Sequence, residues 1–185
     1  DLNDADPLLL VDGTAVGATP DFMRYIAESP LNETIGATLG TLKAQGRGRL
    51  TLGLKLPLRR LGETQASGSF EFLGNEITLA PDAPPVANVN GKVDFQDRGV
   101  SAKGLTGEYH GGAVRADLTA RDGTFQLSAQ GSVGMDSVRR TYSVPFGEYA
   151  TGTARYSASI NASATKYDLT IESNLQGVRI ALPAP

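Results

Sequence analysis

The stretch Lys43-Ala44-Gln45-Gly46-Arg47-Gly48-Arg49-Leu50-Thr51-Leu52-Gly53-Leu54-Lys55-Leu56-Pro57-Leu58 sorts its side chains with period two. Ala44, Gly46, Gly48, Leu50, Leu52, Leu54, Leu56 and Leu58 fall on one parity, while Lys43, Gln45, Arg47, Arg49, Thr51 and Lys55 fall on the other. That is the signature of a strand with an aliphatic face and a cationic, wet face. A helix would spread the leucines around its circumference, and each interior glycine would weaken it by about 1 kcal/mol. At about 3.3 Å per residue the run extends roughly 50 Å, far beyond the usual strand of about 5–6 residues. The spacing therefore predicts an unusually deep sheet whose leucine face must be covered by something.

Working outward toward the N-terminus, Leu8 to Val16 reads as a first short strand. Thr19-Pro20 then supplies an N-cap and a proline at the first helical position, and Phe22, Met23 and Ile26 follow as an apolar stripe. Ser29-Pro30 repeats the start signal, with Leu31, Ile35, Leu39 and Leu42 at helical spacing. Two short helices are thus expected near residues 20–40.

Toward the C-terminus the alternation resumes again and again. Ala66, Gly68, Phe70 and Phe72 share a parity, and Gly74-Asn75 reads as a hairpin turn that returns Glu76 to Ala80 as the other arm. Val89, Gly91, Val93 and Phe95 form the next strand. Further strands are expected at Val100 to Tyr109, Val114 to Ala120, Phe125 to Val133, Ala150 to Ile160, Tyr167 to Ile171 and Val178 to Leu182. Turn signals such as Asp97-Arg98-Gly99, His110-Gly111-Gly112 and Arg121-Asp122-Gly123 separate several of them. Between Met135 and Tyr142, Asp136 is placed to cap one short helical turn before Pro145. The expected fold is mainly β: about ten strands in antiparallel meander order, building a long curved, groove-like sheet over a single unit, residues 1–185. A Gly-x-apolar step recurs at Gly48, Gly68, Gly91, Gly112, Gly131 and Gly152, at spacings of 20, 23, 21, 19 and 21 residues, as in a quasi-repeat of hairpins.

Composition narrows the function classes. A net charge of −3, no tryptophan and 6% aromatic residues argue against a nucleic-acid partner, which wants a basic, stacking surface. The absence of cysteine removes thiolate chemistry and disulfides. The single histidine, His110, sits in a Tyr-His-Gly-Gly turn and reads as a solvated turn residue. Carboxylates are scattered one per strand or turn, and no Gly-x-Ser-x-Gly elbow occurs, so no enzyme, metal site or cofactor is expected. Arg47, Arg49, Lys55, Arg59 and Arg60 form the one basic stripe, read as a solvated face that also blunts a sheet edge. The chain starts without Met and stops just past an alternating strand, and is expected to be a segment of a longer protein. No run approaches 18 apolar residues.

Several stretches together carry a resemblance. Thr19-Pro20-Asp21-Phe22 leading to Ile26, Ser29-Pro30-Leu31, Gly48-x-Leu50-x-Leu52 running into Leu56-Pro57-Leu58, Val89-x-Gly91-x-Val93-x-Phe95, Gly111-Gly112 and Ser173-Asn174-Leu175-x-Gly177-Val178 ending in Leu182-Pro183-Ala184-Pro185 lie in that order along the chain. In these it resembles the periplasmic body of the YhdP-type AsmA-like proteins of Gram-negative bacteria, a bridge-like lipid transfer family. The resemblance implies a protein anchored in the inner membrane, with the anchor outside this segment, whose β-rich body crosses the periplasm and carries phospholipid toward the outer membrane. It implies phospholipid acyl chains, adjoining segments of the same protein and envelope proteins at the groove ends as partners. The expected groove lining is Leu50, Leu52, Leu54, Leu56, Leu58, Phe70, Phe72, Val93 and Phe95. The residues alone leave a second reading open, a non-catalytic structural or protein-binding β-domain of the envelope, because an aliphatic sheet face suits a closed core as well as an open trough.

Overall fold

A computed structural model describes residues 7–28, 42–79, 83–96, 99–142, 149–163 and 165–181. The leucine-rich stretch is strand β2 (Lys43–Pro57), and the segment before it is strand β1 (Leu8–Ala18), longer than its sequence signal, running into helix α1 (Thr19–Glu28). The second expected helix falls on 29–41, outside the described residues. The strands that follow are β3 (Gln65–Thr78), β4 (Val86–Gln96), β5 (Gly99–Tyr109), β6 (Gly112–Arg121) and β7 (Thr124–Gly134). Helix α2 (Met135–Thr141) then leads to β8 (Ala150–Ala162), β9 (Tyr167–Glu172) and β10 (Val178–Ile180).

All ten strands join one antiparallel sheet in chain order, with β9 and β10 sharing the far edge of β8. The meander is left open at both sides rather than closed into a barrel. Register is what gives the sheet its two faces. Ala15, Leu50, Phe70, Val93, Ala102, Leu118, Leu127, Ile160 and Leu169 pair directly across nine strands. The neighbouring row, on the opposite face, is Thr14, Thr51, Ser69, Asp94, Ser101, Thr119, Gln126, Asn161 and Asp168. At about 4.8 Å between strands, each row runs roughly 38 Å across the sheet.

Gly74-Asn75 is not a hairpin. The chain passes through it in the middle of β3, and the pairing shifts there on both sides, between Gln45 and Arg47 of β2 and between Leu73 and Asn75 against β4. The extra residue is absorbed as a bulge, with Gly74 at φ +69° and the facing Gly46 at φ +113°, conformations glycine tolerates without strain. Asn75 makes the bulge worth keeping. Its side chain is fully buried, its Oδ1 accepts from the Leu73 amide at 2.8 Å, and its Nδ2 donates to Thr19 Oγ1 at 2.6 Å. The hydroxyl at the start of α1 is thereby fixed over the sheet, and below it Ala44, Ile77 and Val89 form a small buried cluster flanked by Met23, Leu42, Phe72 and Val86.

Helix α2 covers the apolar face near β7 and β8. Its N-cap is Gly134, with no side-chain cap; Asp136 instead pairs with Arg139 at 3.1 Å one turn on. His110, taken from sequence as solvated, is half-buried beneath this helix. Its ring lies 4.3 Å from Tyr109 and 5.4 Å from Tyr142 between centroids, and Nδ1 is 3.4 Å from Ser137 Oγ. Among the described residues its buried Nε2 has no hydrogen-bond partner. Desolvation lowers the pKa of the imidazole from its ordinary 6.5. The basic stripe is a solvated face, with Arg49 on Glu71 at 2.6 Å and Arg60 on Glu63 at 2.9 Å, but β2 is covered by β1 and is not a sheet edge.

Replacing Asn75 with Ala should destabilise the chain by about 2–4 kcal/mol, because it strands a buried hydroxyl and a strand amide. Urea denaturation checks this, and a loss under about 0.5 kcal/mol, the range of ordinary surface changes, would refute the assigned role. His110 makes a pH prediction of definite sign. Its folded pKa is depressed, so its contribution is complete above pH 6.5 and declines as pH falls below that value, where the unfolded chain takes up a proton that the folded chain resists. The difference in urea midpoint between the natural chain and a His110→Gln variant should therefore change between pH 8 and pH 5, to the disadvantage of histidine at pH 5.

Candidate functional site

One face of the sheet carries nearly all of its large apolar side chains. Leu50, Leu52, Leu54 and Leu56 point to it from β2, Phe70 and Phe72 from β3, and Val93 and Phe95 from β4, as their direct cross-strand partners require. Ala15 and Gly13 of β1 continue it on one side; Val100, Leu118, Phe125 and Leu127 of β5 to β7 continue it on the other. The expected lining therefore converges, with one exception. Leu58 lies in the turn beyond Pro57, 51% exposed, its amide donating to the Pro7 carbonyl at 2.8 Å. Proline and the turn end the alternation two residues earlier than parity alone suggested.

This face is only partly buried. The buried apolar residues of the sheet among those described are small or few, namely Ala44, Ala66, Ile77, Val89, Ala102, Ala120 and Ala154. The leucines of β2 and the phenylalanines of β3 and β4 remain only half-buried. Helix α1 lies over part of them, with the Phe22 ring edge-on to Phe70 at 5.6 Å between centroids and Phe70 edge-on to Phe72 at 5.1 Å. Phe22, Met23 and Ile26 of the helix, together with Leu50, Phe70, Phe72, Val93 and Phe95, line a cavity of about 180 Å³ that also reaches Leu105, Leu118, Phe125 and Leu127. Strands β2 and β7 would stand about 24 Å apart in a flat sheet. Residues from β2 to β7 nevertheless line this one cavity together with the helix.

Polar groups on this face are sparse. Thr19 and Asn75 satisfy each other, and Tyr109 and Tyr156 stand at the α2 end, where burial raises the pKa of both phenols and a hydrogen bond with Tyr142 raises that of Tyr109 further. Phenols in that state stay protonated donors throughout the physiological range. No group of three or more metal-ligating side chains occurs among the described residues. Nor is any described helix long and apolar enough to cross a membrane. Sequence reasoning missed Leu105, Leu118, Phe125 and Leu127 although their alternation was visible, because only pairing register shows that Leu118 and Leu127 align with Leu50 and Phe125 with Leu52, and that Leu105 comes over Gly91.

The arrangement is thus an aliphatic and aromatic surface, several strands wide, covered in part by helix α1. It can hold extended apolar chains by surface burial without supplying acid, base or nucleophile. No solved structure matches the chain. A curated relative from Escherichia coli (strain K12), the intermembrane phospholipid transporter YhdP, is 25% identical over 188 residues covering 96% of this chain. The chain spans 14% of the length of that relative. The family described as the YhdP protein matches residues 1–185, so that the whole open, one-sided sheet just described belongs to the YhdP family.

Proposed function

We propose that this chain is a segment of an envelope-spanning conduit in which phospholipid acyl chains lie along the apolar face, in support of the outer-membrane barrier. The observation that carries the reading is that Leu50, Leu52, Leu54, Phe70 and Phe95, in a continuous in-register band, are only partly buried by the chain's own residues. Each such side chain is worth roughly 1.5–3 kcal/mol when removed from water, so a wide unfilled band is a standing demand for an apolar partner. The relative's name, an intermembrane phospholipid transporter, supplies the chemistry of that partner. Residues 1–185 act as one β-rich unit, in the periplasm, with adjoining segments of the same protein prolonging the trough and envelope proteins meeting its ends. The membrane anchor belongs to another part of the protein.

The trough is oriented across the strands rather than along them. Its long direction follows the rows of paired residues, so an acyl chain would pass from strand to strand over Leu50, Phe70, Val93 and Leu118. The opposite face, with its ion pairs and hydroxyls, meets water.

A photo-reactive side chain at Leu52 of the full-length protein should crosslink to phospholipid, and one at Thr51 or Lys55 should not. Crosslinks to protein alone at Leu52 would favour the structural, protein-binding reading instead. Leu54→Asp should abolish transport by placing a charge in an apolar path while the chain stays folded, because the side chain is partly exposed. A loss of several kcal/mol would mark the face as a closed core.

A further inference from the structure

The near-20-residue recurrence of glycine has a structural counterpart on the apolar face. Gly48, Gly68, Gly91 and Gly131 each lie beneath a large side chain from the next strand in sequence: Phe70, Phe95, Leu105 and Tyr156. A Cβ at Gly68 would also meet the Thr51 carbonyl, one at Gly91 would add to a strained φ of +129°, and one at Gly131 would stand 2.6 Å from the Ala113 carbonyl. Gly48 is different. The three nearest atoms to a Cβ there all belong to the Phe70 ring, Cε1 at 2.6 Å and Cε2 at 2.9 Å with Cζ closer, and its φ is outside the left-handed region.

The ring of Phe70 is held from the other sides as well. Phe22 of α1 and Phe72 of the same strand meet it edge-on, and Phe22 in turn rests at 3.4 Å from where a Cβ on Gly17 would sit. Phe70 therefore lies down on Gly48 because no side chain stands there. The space open to a displaced ring is the 180 Å³ cavity that Phe70, Leu50 and Val93 line. We infer that Gly48 sets the depth of the trough, by letting Phe70 lie flat on its floor, and so decides whether an acyl chain passes over β2 to β4. A single methyl group at this position raises the ring into the path. Paired strands keep the backbone in place, because the three atoms nearest to the added methyl all belong to the Phe70 ring.

This inference rests on the conduit reading, and its test separates the two. A photo-reactive side chain is placed at Val93, the direct cross-strand neighbour of Phe70, in the full-length protein, and lipid capture and the thermal midpoint are measured together. With Gly48 intact, phospholipid should be captured; none at Val93 would refute the conduit reading itself. Gly48→Ala should lose most of that capture while remaining folded, and Gly48→Ala combined with Phe70→Leu should regain it. Capture undiminished in Gly48→Ala, or lost and not regained in the double variant, overturns the role of Gly48 and leaves the conduit reading standing. A Gly48→Ala protein that fails to fold also overturns it, because the ring would then have had no cavity to enter.

Discussion

The structure depends on phase. A strand's side chains alternate, so a slip of one residue in any pairing would send its apolar set to the wet face. Here the pairing runs from Ala15 of β1 to Leu169 of β9 without such a slip, and the bulges in β3 and β5 change the number parity while keeping Ile77 and Leu105 on the same face as Phe72 and Ala102. Nine strands in phase turn nine individually unremarkable amphipathic segments into one band. No single contact in the band is strong; its coherence is what makes it a surface.

The bulge at Gly46 and Asn75 is where that phase is most at risk and most firmly held. An extra residue in β3 would leave a buried amide and an unpaired side chain, and Asn75 answers both by bonding the Leu73 amide and the Thr19 hydroxyl. The same contact seats α1, so the local irregularity of the sheet and the placement of its roof are one arrangement. On the same face Phe70, Phe95, Leu105 and Tyr156 lie against Gly48, Gly68, Gly91 and Gly131 of the preceding strands.

The sheet's edges carry a different consequence. β1 exposes Leu8 at 55% and Leu10 at 60% on the face opposite the trough, and its outer backbone edge faces no other described strand. Edge strands of this length are normally blunted by charge or covered by another element. The basic stripe does not serve here, because it lies one strand inward on β2. The one charge that β1 carries is Asp12, opposite Gly53 of β2.

Strand existence, face polarity and the helical start at Thr19-Pro20 were legible in the sequence, because each rests on local periodicity or local chemistry. That the leucines of β2 share a face with Phe70, Phe72, Val93 and Phe95 was legible for the same reason: parity names the face a side chain points to. The limits were equally physical. Gly74-Asn75 carries the same turn chemistry whether it closes a hairpin or bulges a continuous strand, and only the pairing of Leu73 and Asn75 with β2 and β4 distinguishes them. His110 looked solvated because Tyr142 and Ser137 come to it from more than 25 positions away, over the α2 crossing. Whether an aliphatic face is a core or a trough is likewise not a local property. It depends on how much of the chain folds back over it, and among the described residues α1 and α2 do so while Leu50, Phe70 and Val93 stay partly exposed.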